Sequence, residues 1–79
     1  MMLKFTKMSA LGNDFIMVDG AQYSTPQIAP HVVALCDRRF GIGADGVIIV
    51  HPAVTSSDFR MQIFNADGSE PYTLNAGSV

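Results

Sequence analysis

Phe59-Arg60-Met61-Gln62-Ile63-Phe64 alternates apolar with polar residues and runs directly into Asn65-Ala66-Asp67-Gly68-Ser69-Glu70. This stretch restricts the fold more than any other in the chain. A period of two predicts a strand with one buried face, formed by Phe59, Met61 and Ile63. Asp67-Gly68 then predicts a reversal that needs positive φ, which glycine adopts without steric cost. A strand ending in a polar turn displays Asn65, Asp67 and Ser69 at the rim of a sheet. A plain hairpin turn is the commoner meaning of Asp-Gly, so this pattern speaks of structure before function.

The earlier part of the chain alternates short strands with one helix. Leu3 to Met8 reads as a strand, Ser9 to Asp14 as a turn with Gly12-Asn13 as its reversal, and Phe15 to Asp19 as a second, largely apolar strand closed by Gly20. After Ser24-Thr25-Pro26, the residues Ile28, Val32, Leu35 and Cys36 fall at helical spacing. Two starts are open. The helix begins at Thr25 and loses a hydrogen bond at Pro30, or it begins near Ala29 with Pro30 at its first position. Arg38 and Arg39 are expected in its last turn, where cations suit the dipole, with Gly41 as the stop. Val47 to Val50 reads as a third strand, and His51 to Asp58 as a polar connection.

Gly41-Ile42-Gly43-Ala44-Asp45-Gly46 invites a phosphate-loop reading. Phosphate loops follow a strand and open a helix, so that helix N–H groups face the anion. Here the order is helix, loop, strand, and the spacing matches neither GxGxxG nor a Walker loop. The glycines instead permit a tight crossing from helix to strand.

The chain has 79 residues, room for one small domain at most. Its 48% hydrophobic and 15% charged residues suit a globular chain. A net charge of −2 without a basic run gives no argument for nucleic acid or an anionic membrane surface. No apolar run approaches the ~20 residues of a membrane span, and the first residues lack a signal peptide's apolar core. Cytoplasm is the expected compartment. The single cysteine, Cys36, has no intramolecular disulfide partner, and its apolar helix face favours a buried thiol over a nucleophile. His31 and His51 are expected to face solvent, since neither has a third ligand at a metal-binding spacing. Asp14, Asp19, Asp45, Asp58, Asp67 and Glu70 contain no pair whose spacing predicts general acid–base work. Residue reading thus ends at a small α+β piece with a polar rim.

Lys4-Phe5-Thr6-Lys7-Met8, Leu11-Gly12-Asn13-Asp14-Phe15, Leu35 through Gly46, and Phe64 through Glu70 occur in the order found in diaminopimelate epimerases, which the chain resembles up to about Glu70. That family isomerises LL- to meso-diaminopimelate in lysine biosynthesis without metal or other cofactor. The resemblance implies an α+β fold of two similar domains, each with strands wrapped around a central helix and the substrate in the cleft between them. Residues 1–79 would form part of the first domain, without its central helix and without the second domain. Asn13 and Asn65 stand where the family holds the distal amino-carboxylate end of its substrate. An amide suits that task, donating to a carboxylate and accepting from an ammonium. Asp14, Asp67 and Ser69 would support that rim, and Cys36 matches no catalytic position.

Beyond Glu70 the sequence departs from the pattern. The family continues into Cys-Gly-Asn-Gly opening a helix, whereas this chain reads Pro71-Tyr72-Thr73-Leu74-Asn75-Ala76-Gly77-Ser78-Val79. Aligned without gaps, Leu74 takes the place of the catalytic thiol, so the resemblance implies no catalytic residue here. The family's two thiols act on opposite faces of the α-carbon, and the second belongs to the other domain. The resemblance therefore implies an isomerase fragment, inactive as this chain. Its alternatives are a non-catalytic small-molecule-binding or interaction remnant of the same fold, and a related amino-acid racemase. Incompletely covered apolar strands lead us to expect poor folding or self-association.

Overall fold

The computed structural model describes residues 3–52, 59–70 and 72–76. Five strands form one sheet in the order β1 (Thr6–Ala10), β2 (Asn13–Asp19), β3 (Gly46–His51), β4 (Phe59–Asn65) and β5 (Tyr72–Ala76). β1–β2, β3–β4 and β4–β5 are antiparallel, whereas β2 and β3 are parallel. A parallel pair needs a crossover, and the helical segment supplies it. The α+β class expected from the sequence is therefore observed.

The crossover combines both readings of its start. α1 (Thr25–Ile28) begins at Thr25, a 3₁₀ turn (Ala29–His31) follows, and α2 (Val32–Cys36) resumes the α-helix. Pro30 has no N–H for an i−4 bond, so the ladder tightens at that point and does not run on unbroken. The expected C-terminus needs correction. The helix stops at Cys36, and Arg38 and Arg39 lie beyond it, because Asp37 is extended (φ −61°, ψ 121°). The Asp37 carboxylate accepts the N–H groups of Arg39 and Phe40 at 2.7 and 3.0 Å, a local turn that competes with a further helical turn.

One sheet face packs on this helical segment. Ile16 and Val18 of β2, Val47 and Ile49 of β3 and Phe64 of β4 meet Ile28, Val32 and Cys36 in a single buried cluster. Cys36 is a buried free thiol, as its helix position predicts, and burial pushes its pKa up. The β4 expectation is overturned in phase: Phe64 is the core residue, on the same face as Gln62, while Met61 and Ile63 point to the other face and are half buried. The register places them beside Ile48 and Val50 of β3, and beyond these Met17 of β2. This second face is apolar, and among the described residues no helix covers it. Phe59 is described by its backbone alone, so its expected burial lies outside the described side chains.

The first hairpin turns at Leu11-Gly12, one residue earlier than expected, and Asn13 already belongs to β2. His51 is the last residue of β3 and half buried, not a loop residue facing solvent, whereas His31 is exposed in the 3₁₀ turn. Most of the expected connection after it, residues 53–58, lies outside the described residues. None of the described helices is long and apolar enough to cross a membrane.

Candidate functional site

β2 and β3 begin, and β4 ends, at one edge of the sheet, and this rim carries Asn13 and Asn65. Phe15 pairs with Gly46, and Gly46 with Asn65, so these three residues form one rung. Residues paired across a sheet share a face, as do residues i and i+2 of one strand. Asn65 and Asn13 therefore lie on the face of Phe15, the one not covered by the helical segment. Both are solvent-exposed. Between them Gly46 has no side chain, and a Cβ there would lie 2.5 Å from the Phe64 carbonyl oxygen and 3.3 Å from the Phe15 ring. The floor between the two amides is thus backbone and aromatic ring.

The turn after β4 fixes the polarity of Asn65. Its Nδ2 donates to Ser69 Oγ at 3.0 Å, and Ser69 Oγ donates to Asp67 Oδ1 at 2.6 Å. The Ser69 N–H also donates to Asp67 Oδ1, at 2.9 Å, and Gly68 (φ +89°) permits the reversal. Because a carboxylate only accepts, the hydroxyl proton must point to Asp67, leaving a lone pair for the amide NH₂. The Asn65 carbonyl oxygen is then directed away from Ser69 and suited to accept from an ammonium. These bonds, that from Ser69 Oγ foremost, hold the Asp67 carboxyl below the ordinary carboxylate range.

Asn13 is held through its neighbour. Asp14 faces the helical side, where its carboxylate accepts from Ser9 Oγ and from Arg38 Nη1 at 3.1 Å. The Ser9 hydroxyl, then Arg38, lower the Asp14 pKa. Arg38 also reaches Asp45 Oδ1, at 3.3 Å. Asp45 in turn binds the Asp14 backbone in both directions, and its carbonyl accepts the Ala66 N–H at 3.0 Å. Arg38 and Asp45 were not identified as site residues from the sequence. The available signal was an acidic residue wedged between glycines at the mouth of a strand, in Gly43-Ala44-Asp45-Gly46.

A second polar cluster, also unread from the sequence, lies on the helical face. Gln62 Oε1 accepts from Thr25 Oγ1 at 2.6 Å and from His51 Nε2 at 2.9 Å, which requires the His51 tautomer protonated on Nε2. Gln62 Nε2 donates to Glu70 Oε2 at 2.7 Å. This arrangement ties the helical segment to β3 and β4. Leu74 lies in β5, paired with Met61, and not at the start of a helix.

A family model described as diaminopimelate epimerase matches residues 5–78, continuing beyond Glu70. A diaminopimelate epimerase from Picosynechococcus is 56% identical over 78 residues, covering 98% of this chain and 28% of that protein. One from Gloeothece citriformis is 54% identical over 76 residues, covering 95% of this chain and 27% of the relative. The chloroplastic diaminopimelate epimerase of Oryza sativa subsp. japonica is 57% identical over 76 residues, covering 95% and 22%. The chain thus spans less than a third of the length of these relatives. Its sequence match across nearly all 79 residues, together with an α+β sheet that brings the two amides to one rim, makes the chain a member of the diaminopimelate epimerase family.

Proposed function

We propose that this chain carries the part of a diaminopimelate site that grips the end of the substrate remote from the reacting carbon, and that it does not itself interconvert LL- and meso-diaminopimelate. The observation that carries the reading is the shared rim and face of Asn13 and Asn65. In this role Asn65 Oδ1 accepts from the distal ammonium, and the amide N–H groups of the pair donate to the distal carboxylate.

Removing a proton from the α-carbon and returning one on the opposite face needs two proton carriers, one on each side. Leu74 carries no titratable proton, and the Cys36 thiol is buried between the helical segment and the sheet, on the face opposite the amides. The chemistry therefore belongs to a longer protein, in which residues 1–79 are part of a first domain. The apolar face of Met17, Ile48, Val50, Met61 and Ile63 suits the family's central helix, around which the strands wrap. A cytoplasmic setting, with no nucleic acid or membrane partner, is part of the same reading. In the chain alone, this face and the edge strands favour self-association.

The test is proton NMR of diaminopimelate in D₂O with the chain and with Leu74→Cys. We expect no α-hydrogen exchange and no change in the LL-to-meso ratio with either. Exchange that depends on Cys36, or that appears with Leu74→Cys alone, would refute the inactivity. The binding role is tested by titrating ¹⁵N-labelled chain with diaminopimelate. The Asn13 and Asn65 side-chain amide signals should shift with a common midpoint, and Asn65→Ala should abolish the shift of the Asn13 signal that remains. Shifts confined to other residues would refute that role.

A further inference from the structure

Resting on the reading of Asn13 and Asn65 as ligand-gripping amides, we infer that Asp45 is the positioning residue that sets their relative placement, with Arg38 holding its carboxylate in place. The β2–β3 ladder begins at Phe15–Gly46, so Asp14 and Asp45 stand one residue ahead of the first paired rung. At that point the ladder has frayed, yet both backbone groups of Asp14 are satisfied. The Asp45 N–H donates to the Asp14 carbonyl at 2.8 Å, and the Asp45 carboxylate returns the bond by accepting the Asp14 N–H at 2.7 Å. A side chain thus stands in for the missing rung.

The same residue reaches the opposite strand. Its carbonyl accepts the Ala66 N–H at 3.0 Å, and Ala66 directly follows Asn65 as Asp14 directly follows Asn13. β2 and β4 are not neighbours but are separated by β3. Asn65 is still paired with Gly46 of β3, whereas Asn13 lies two residues ahead of the first β2–β3 rung, and Asp45 is bonded to the residue after each of them. Arg38 spans the Asp14 and Asp45 carboxylates at 3.1 and 3.3 Å, which offsets the repulsion of two like charges brought together. Gly43, at φ +84°, lets the loop lie against Arg38, where even a Cβ would be 3.2 Å from its Cα. Two amides grip a rigid amino-carboxylate group only at one separation, and a displacement near 1 Å is enough to lose most of the benefit.

The test uses the 79-residue chain with Asp45→Ala, Asp45→Asn and Arg38→Gln. Residual dipolar couplings of the Asn13 and Asn65 backbone N–H vectors report placement without ligand. Diaminopimelate titration of their side-chain amide signals reports its consequence. Asp45→Ala should change the Asn13 couplings relative to β3, leave those of Asn65 close to native, and weaken the diaminopimelate midpoint by about tenfold or more. Asp45→Asn keeps an acceptor oxygen for the Asp14 N–H and should restore the couplings and most of the affinity, which a loss of general stability would not do. Arg38→Gln should shift the same couplings in the same direction by less. Unchanged Asn13 couplings in Asp45→Ala, or Asp45→Asn behaving like Asp45→Ala, would overturn the inference. Should Asp45→Ala not fold, native couplings and wild-type-like binding in Asp45→Asn together with shifted Asn13 couplings in Arg38→Gln support the role of Asp45. Altered couplings in Asp45→Asn, or native ones in Arg38→Gln, then overturn it. If the wild-type amides ignore diaminopimelate, the ligand reading fails, and the couplings still decide the role of Asp45.

Discussion

Leu11 sits at the tip of the first hairpin with φ +54°, followed by Gly12 at +83°, and its side chain is fully exposed. Two consecutive left-handed residues give the hairpin its tight turn, a geometry that favours Asn-Gly. A leucine there meets the steric penalty of its Cβ without gaining a contact. Leu11→Asn should therefore raise stability by roughly 0.5–1 kcal/mol, read as a higher denaturant midpoint at unchanged slope. The same strain explains why the turn was misplaced by one residue from the sequence: Gly12-Asn13 carries the ordinary turn chemistry, and nothing in leucine announces positive φ. At the rim, the Asp67-Gly68 turn was legible because its residues bond to near neighbours. Asp45 was not, since its partners Asp14 and Ala66 come from distant parts of the chain. Acid should expose these ties. Asp14, Asp37 and Asp67 have pKa values lowered in the folded chain by hydrogen bonds, led by Ser9 for Asp14, Phe40 for Asp37 and Ser69 for Asp67. Their contribution is complete above the unfolded carboxylate pKa of about 3.9 and is lost as pH falls through the lowered folded values. Carboxyl ¹³C NMR should show all three titrating below the unfolded value, with Ser9→Ala moving Asp14 upward and Ser69→Ala moving Asp67 upward.

At the scale of elements, β2 and β3 were the easiest to read because continuous apolar runs leave few alternatives. Ile49 is fully buried between them and the helical segment, and Ile49→Ala should cost about 2–5 kcal/mol of stability, measured by denaturant titration. β4 was found but its faces were exchanged. Phe59, Met61 and Ile63 outnumber Phe64, so alternation alone assigns the core to the larger set. The helical segment selects the other one, through Phe64. A rule built on one buried face fails for a strand that is apolar on both. The helix end was obscured by Arg38 and Arg39, whose charges suit a last turn in general. Here the Asp37 carboxylate draws the backbone out first, freeing Arg38 to span Asp14 and Asp45. Gly46→Ala should be more damaging than a surface glycine change. Its Cβ would meet backbone and not a yielding side chain, and we expect destabilisation of about 1–3 kcal/mol with a shift in the Phe15 ring resonances.

For the molecule as a whole, the sheet has two apolar faces, and among the described residues a helical segment packs on only one. Size-exclusion chromatography with a denaturant titration should show concentration-dependent association, and Met61→Lys on the uncovered face should reduce it. A monodisperse monomer with a steep cooperative transition would show instead that the sheet needs no second layer. The parallel pairing of β2 with β3 has a further consequence, one of time. Everything on either side of that joint is local: β1 folds back on β2, and β3, β4 and β5 follow as a meander. The joint itself closes only after the crossover has brought residues such as Asp14 and Asp45, 31 positions apart, together. Loop closure of that length must precede the contacts that repay it, so the two halves form early and their union is the slow event of folding.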